Sequence, residues 1–537
     1  MRTMAPISLD DPTPSGDMLA AWSKHVGRPV DDPKALHREL TRGPTLPAAF
    51  SAVSRRHLTA AALTLGDTTL THGEVEEESA RVAGVMAAWG VGPGTRLTLL
   101  AEPEMSVVLT YLAALRSGAV VTLAHPSYTP VEIGRTLSAS GAELAAGTGE
   151  SLRRLVESDP DLPVLGLAPA DREATTEILA DRAPARAPRP KEDGESTAIL
   201  AFTSGTTGEP KPVPLSHRSL LASIRGVILA WRWRPDDRLV HCLPIAHQHG
   251  LGAVHIALLT GSHAVILPRF EPAGLIEALS DEDATALFAV PAIYDRLLTE
   301  VPTKVASLSR LRLMTSGSAP LRPELGNRIE HAVGKLPVER YGLTETGLDV
   351  SNPFEGPRIA GTVGIALPGV ELAVVDDAGK VLGPGETGEV LLRGPQVFGG
   401  YAGGGREGFI GDWFRTGDIG TIEEDSGHLR LVGRSKEVII TGGVNVYPRE
   451  VEAALLALGG VVDVAVIGVP SRRWGETVTA FVVASGISTE EIGSRVESVL
   501  APFKRPKQII AVESIPRTEM GKIRRDLLAA STAIDRD

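Results

Sequence analysis

The stretch TSGTTGEPKPVPLSH, residues 203–217, decides how the rest of the chain is read. It follows a strand-like AILAF and sets two hydroxyl-rich, glycine-punctuated turns before a lysine. Gly205 and Gly208 let backbone N–H groups approach anionic oxygens without a Cβ in the way. Thr203, Ser204, Thr206 and Thr207 add hydroxyl donors, and Lys211 adds charge. An ordinary polar turn has no need to crowd so many phosphate-type donors behind a strand. The spacing is not that of a Walker loop, because no Gly-Lys-Ser/Thr closes the run. The loop is expected to hold a phosphate-bearing ligand.

Around this loop helices and strands alternate. VEEESARVAGVMAAWG places Val75, Val82, Met86 and Trp89 on one helical face, with Gly90 as C-cap. LTYLAALRSGAVVTLAHP reads helix, glycine, buried strand, and VHIALLTGSHAVILPRF repeats that grammar. ATALFAVPAIYDRLL reads strand, then a helix opening near Pro291. Continuous apolar strands joined by helices predict an α/β class of layered sheets covered on both faces. Residues 1–50, rich in Pro and Asp, read as an irregular or helical extension, and 166–196 as a surface connection. After about residue 370 glycine turns join short strands, which predicts a small β unit. From GRSKEVIITGG onward a compact α+β set follows, with YPREVEAALLAL as helix and VVDVAVIGVP and ETVTAFVVA as strands. The expected division is 1–433 and 434–537.

A chain of 537 residues exceeds one hydrophobic core. With 43% apolar and 22% charged residues it has a globular composition. The net charge of −12, without a dense basic cluster interleaved with aromatics, argues against a nucleic-acid partner. One cysteine, Cys242, excludes an internal disulfide and a Cys-rich metal site. No apolar run is long enough to span a membrane, and MRTMAPISLDDPTPSGD lacks a signal-peptide core. The expected compartment is the cytoplasm.

Four further motifs are each weak alone. ERYGLTETG (339–347) offers a hydroxyl and a carboxylate after a Tyr-Gly turn, suited to phosphate and Mg²⁺. WFRTGDIG offers Asp418 for ribose hydroxyls or a simple turn cap. GRSKEVIITGGVNVYPREVE and PRTEMGKIRRDLL complete the series. Their joint order, together with SGSAPL, resembles the adenylate-forming superfamily of acyl-CoA synthetases, peptide-synthetase adenylation domains and luciferases over roughly residues 50–530. The resemblance implies a large N-terminal domain and a small mobile C-terminal domain. It also implies ATP-dependent activation of a carboxylic acid to an acyl-adenylate, then thioester formation.

The resemblance assigns roles by position. The 203–208 loop and Lys211 hold the leaving phosphates. Thr344 touches the α-phosphate and Glu345 binds Mg²⁺. Tyr341 lies near adenine with Gly317, Ser318, Ala319 and Pro320, and Glu339, Arg340 and Gly342 complete that wall. Asp418 and Arg434 hold the ribose, and Lys522 reaches in from the small domain. Lys436 is the hinge. Gly442 and Gly443 line a pantetheine tunnel for CoA, with Trp474, Phe503, Arg505 and Lys507 on its nucleotide. That set, similar to the 4-chlorobenzoate–CoA ligase type, favours free CoA over a carrier-protein thiol or a nitrogen nucleophile. His247 is either the tunnel gate or a packed core histidine, and His249 is structural or pocket-lining. Leu343, Arg269 and Arg312 are candidates for the acyl pocket. Likeness to malonyl-CoA synthetases suggests a small acid or dicarboxylate, for which either arginine is a possible counter-ion or an ordinary strand-end residue. One departure stands out. Pro212, where the family usually has glycine, and Pro214 remove N–H groups and fix φ, which predicts a stiffer loop.

Overall fold

The computed structural model describes residues 9, 13–185, 193–204, 210–403, 405–441, 444–471, 474–518 and 521–532. Among them, two large sheets and a β unit build the first part of the chain, and a fourth sheet builds the last hundred residues. One sheet has nine strands. Its middle runs His263–Ile266, Arg238–His241, Ala286–Ala289, Leu313–Ser316, Val338–Tyr341, all parallel. Ala61–Leu65 extends it in parallel, and antiparallel strands close both edges. The second sheet has six strands, and its last pair is the antiparallel hairpin Thr197–Ser204 and Pro210–Ser216.

The helix grammar is observed, except that the first such helix ends at Ala88 with Trp89 as its C-cap and Gly90 follows at φ 87°. His72–Ala88 starts with a capping box between Thr71 and Glu74, and it buries Val75, Val82 and Met86. Gly118 and Gly261 end their helices in the left-handed conformation at φ 75° and 81°. Pro291 opens Pro291–Glu300 at the first helical position. The first 50 residues are more closely integrated than an extension. Trp22, Leu36 and Leu40 pack with Ala222, Leu46 and Phe50 join the main core, and Trp22 Nε1 donates to the Val370 carbonyl at 2.9 Å.

Pro212 and Pro214 lie in the edge strand Pro210–Ser216. The Pro212 carbonyl accepts from Ala402 N, so that residue's hydrogen-bonding side faces away from its partner strand. A missing N–H there costs no ladder bond. The prolines therefore shape the strand after the loop, and the loop residues 205–209 lie outside the described set.

The antiparallel β unit comprises Glu371–Val375, Thr387–Arg393, Phe409–Ile410, Trp413–Ile422 and Leu429–Arg434. The final sheet has its own core around Ile439, Val451, Val466, Val482 and Ile492. A short 3₁₀ turn, Ser435–Glu437, lies between the two sheets.

Candidate active site

Parallel strands place ligands beyond their carboxyl ends, and the sequence motifs gather at that edge. Leu313–Ser316 runs into Gly317, Ser318 and Ala319. Val338–Tyr341 runs into Gly342 and the 343–347 turn, which closes through Gly347 N to the Leu343 carbonyl at 2.8 Å. Ser318 takes φ +66°, a conformation that costs a non-glycine residue roughly 1–2 kcal/mol. At Gly317 a Cβ would collide with the Arg340 side chain.

Alternation along Val338–Tyr341 sorts its side chains between two faces. Tyr341 Oη donates to Asp418 Oδ2 at 2.7 Å. Asp418, 2% exposed, pairs through Oδ1 with Arg434 Nε at 2.9 Å. Asp418 and Arg434 are direct cross-strand neighbours, which is why two residues 16 apart in sequence meet here. Arg340 takes the opposite face, under Gly317 and within electrostatic reach of His249. Its buried Nε has no hydrogen-bond partner among the described residues, and burial lowers its pKa to about 10. Arg340 also stays within electrostatic reach of Lys522, as Asp418 and Arg434 do. Glu339 is buried, accepts from Leu321 N at 3.0 Å, and is pushed up to about 8 by burial. It supports the loop at 321 through its carboxylate.

Thr344 and Glu345 sit in a tied turn. Gln248 Nε2 donates to the Thr344 carbonyl at 2.8 Å, and Ser223 Oγ accepts from Leu348 N at 3.0 Å. Glu345 is 8% exposed and accepts from Tyr401 Oη at 3.0 Å. Lys211 Nζ stands 5.6 Å from the same Tyr401 ring. Tyr401 therefore joins the phosphate-loop lysine to the acidic residue of the turn. In sequence it is only a tyrosine in a glycine-rich segment. Asp349 was missed as well; it is buried, held by Thr346 and by Gln396 Nε2 at 3.1 Å, and raised to about 7 by burial. Leu343 packs, partly buried, against the main core.

Lys522 arrives from the last segment. Gly521, at φ 81°, turns the chain against Ala319, and Thr518 N donates to the Lys522 carbonyl at 2.8 Å. Crowding by protein lowers the Lys522 pKa, and Arg434 lowers it further; Asp418 and Glu345 oppose the shift. Its side chain retains solvent exposure, so it stands in a cleft rather than a core. Asp463 binds Arg517 at 2.8 Å within the small domain and Arg322 at 3.5 Å in the large one. That ion pair crosses the cleft that Lys522 enters.

Other residues singled out from the sequence lie elsewhere. Arg312 precedes its strand instead of following it. Its Nε donates to Asp237 Oδ1 at 2.6 Å, its Nη2 pairs with Oδ2, and Nη1 donates to the Trp231 carbonyl at 3.1 Å. It is a structural cation at the amino edge, a four-residue strand or about 13 Å from the site. Arg269 is 81% exposed and lies 3.8 Å from Glu271. His247 caps the Gln248–Thr260 helix at an exposed position, with its ring 5.7 Å from that of His125, which excludes a packed core role. His249 Nδ1 is 3.2 Å from Ser318 Oγ, and burial holds the ring well below the usual imidazole pKa, hence neutral. Trp474 and Phe503 are 40% and 41% exposed. Arg505 spends its guanidinium on the Leu500 and Glu497 carbonyls, and Lys507 is 3.4 Å from the Pro502 carbonyl. Lys436 lies in the 3₁₀ turn between the sheets. Gly205, Thr206, Thr207, Gly208, Gly442 and Gly443 lie outside the described residues, and only the backbone of Ser204 is described.

An α/β platform with a nucleotide-type edge and an incoming lysine is matched by known proteins. The AMP-binding enzyme family matches residues 50–402, and the AMP-binding enzyme C-terminal domain matches 450–522. The mitochondrial malonate–CoA ligase ACSF3 of Mus musculus is 33% identical over 475 residues, covering 80% of each chain. The oxalate–CoA ligase of Arabidopsis thaliana is 32% identical over 490 residues, covering 86% of this chain and 94% of the relative. ATP-bound MatB from Rhodopseudomonas palustris superposes with a TM-score of 0.83 at 33% identity, covering 91% of this chain and 99% of MatB. The apo form of that protein gives 0.72. Both family domains occur in order on one chain, and the chain belongs to the AMP-binding enzymes of the adenylate-forming superfamily, on its acid–thiol ligase branch.

Proposed function

We propose that this chain is an AMP-forming acid–CoA ligase for a short dicarboxylic acid, using ATP and Mg²⁺. The observation that carries the second carboxylate is Arg340. Arg340 is half-buried, and its buried Nε lacks a hydrogen-bond partner among the described residues, an arrangement that a ligand anion would relieve. Arg340 lies under Gly317, beside a neutral His249, on the strand face opposite Tyr341. The malonate and oxalate ligases among its relatives support this reading.

In the first half-reaction a substrate carboxylate attacks the α-phosphorus of ATP and pyrophosphate leaves. Like charges 4 Å apart repel by about 4 kcal/mol at an effective dielectric of 20. The chain's task is therefore positioning and cationic screening. Lys211 neutralises the leaving phosphates, and Thr344 donates to the α-phosphate. Asp418 accepts from the ribose hydroxyls, with Arg434 and Tyr341 holding its carboxylate in place. Lys522 stabilises charge at the attacked phosphorus. Among the described residues no cluster of three or more His, Cys, Asp or Glu could hold a metal. Magnesium would take one protein carboxylate, Glu345, and otherwise phosphate and water oxygens, which suits that ion. It supplies charge neutralisation on the triphosphate.

In the second half-reaction the small domain turns about Lys436, withdraws Lys522, and opens the Gly442–Gly443 segment to the CoA thiol. The thiolate attacks the acyl carbon and AMP leaves. Exposed Trp474 and Phe503 suit an adenine ring.

The test is AMP release with ATP and Mg²⁺ over a panel of mono- and dicarboxylic acids, each with and without CoA. Malonate or oxalate should be turned over only with CoA, and Arg340→Met should raise KM for the diacid and spare monoacids. Adenylate formed at full rate without any CoA-dependent product would instead favour a carrier-protein or nitrogen acceptor. A monoacid preference unchanged by Arg340→Met would overturn the dicarboxylate.

A further inference from the structure

A second cavity lies outside this site. It has a volume of about 530 Å³ and is bounded by the 39–56 segment and by the helices His217–Ala230 and Gln248–Thr260. That size suits a small-molecule ligand. Its floor is apolar and includes Ala52, Ile228 and Leu229. Its rim carries Arg42, Arg56 and Arg225. None of the three forms an ion pair among the described residues; Arg225 donates only to the Leu40 carbonyl, at 2.9 Å. The single carboxylate on the rim, Glu39, is already engaged by Arg28 at 3.3 Å. Burial, then the neighbouring Arg42, lowers the Arg225 pKa to about 10, with Glu39 opposing the shift. In a chain with net charge −12, where most arginines have carboxylate partners, this cluster stands apart.

We propose that this cavity binds a small amphipathic organic anion, with a phosphate or carboxylate head on the arginines and a short apolar body on the floor. The site connects to the catalytic turn. Ser223, two residues before Arg225, accepts from Leu348 N just after the Thr344–Glu345 pair. Two residues turn a helix by about 200°, so Arg225 and Ser223 face opposite sides.

Titration calorimetry of the full chain, with AMP saturating the nucleotide site, tests this. The probes are hexyl phosphate, hexanoate, inorganic phosphate and hexanol. One hexyl phosphate or hexanoate should bind per chain, and the tighter of the two names the head group. Arg225→Met and the double variant Arg42→Gln/Arg56→Gln should each weaken it about tenfold or more. Ala52→Trp should abolish binding and leave probe-free adenylation unchanged. Four results would overturn the proposal: binding lost when AMP is present; binding unaltered in all three variants; inorganic phosphate or hexanol binding as tightly as the amphiphile; or no probe binding alongside a dimer that Ala52→Trp dissociates.

Discussion

Arg312 and Arg340 sit on adjacent parallel strands of one sheet, at opposite ends, and they differ in what surrounds them. At the amino edge Arg312 meets Asp237, which is fully buried, and Thr285 Oγ1 donates to the same carboxylate at 2.8 Å. Arg312 and Asp237 satisfy each other there within the fold. At the carboxyl edge Arg340 is half-buried with its Nε unpaired among the described residues, and Lys522 stands near Arg434 with its pKa lowered. The amino edge is built for stability. The carboxyl edge leaves interactions unsatisfied that a ligand can complete.

The largest test of that contrast is Arg312→Ala. It leaves Asp237 buried without its counter-ion and should cost about 3–5 kcal/mol in denaturant unfolding, with kcat/KM of the folded fraction retained. Lost diacid turnover at unchanged stability would break the comparison. Lys522→Ala should remove about 3–4 kcal/mol of transition-state stabilisation from adenylation and spare thioester formation from preformed adenylate. Equal loss of both steps would remove the lysine from the first half-reaction. Arg340→Met should leave stability unchanged or raised, yet cost about 1.5–3 kcal/mol in diacid binding, read as KM.

Tyr401→Phe should cost about 1 kcal/mol. Its specific signature is a higher Mg²⁺ requirement for adenylation at unchanged Tm, because Glu345 loses its donor. A Tm drop without a Mg²⁺ shift would make Tyr401 merely structural.

The smallest effects are in pH. Burial depresses His25, His217 and His263 to about 4, and His241 and His255 to about 3, from 6.5. Between those values the unfolded chain binds more protons, so their contribution to stability is present above pH 6.5 and lost as pH falls toward 4. Glu339 acts in the opposite direction. Raised from 4.5 to about 8, it contributes stability below pH 4.5 that is lost as pH rises through 8. Tm against pH should peak between these limbs, and Glu339→Gln should flatten only the alkaline one.

Motif order carried the fold and the nucleotide side of the site because local chemistry writes them into contiguous residues. Glycines, hydroxyls and a lysine behind a strand are legible wherever they occur, and so are the glycine helix ends. Asp418 and Arg434 were legible for the same reason, each sitting in its own motif. The acyl side was not. Arg269 and Arg312 read alike in sequence, as arginines beside strands, and Arg340 read as part of the adenine wall. Only tertiary structure exposed the first to water, gave the second Asp237 and left the third half-buried under Gly317. Tyr401 and Gln248 escaped notice because each acts on a turn brought to it by the fold. The sequence by itself determined the family grammar and the candidate residues for phosphate and ribose. The tertiary structure decided which cations are satisfied and which await a ligand, because pairing depends on neighbours distant along the chain and on burial, and neither is encoded in a residue's own motif.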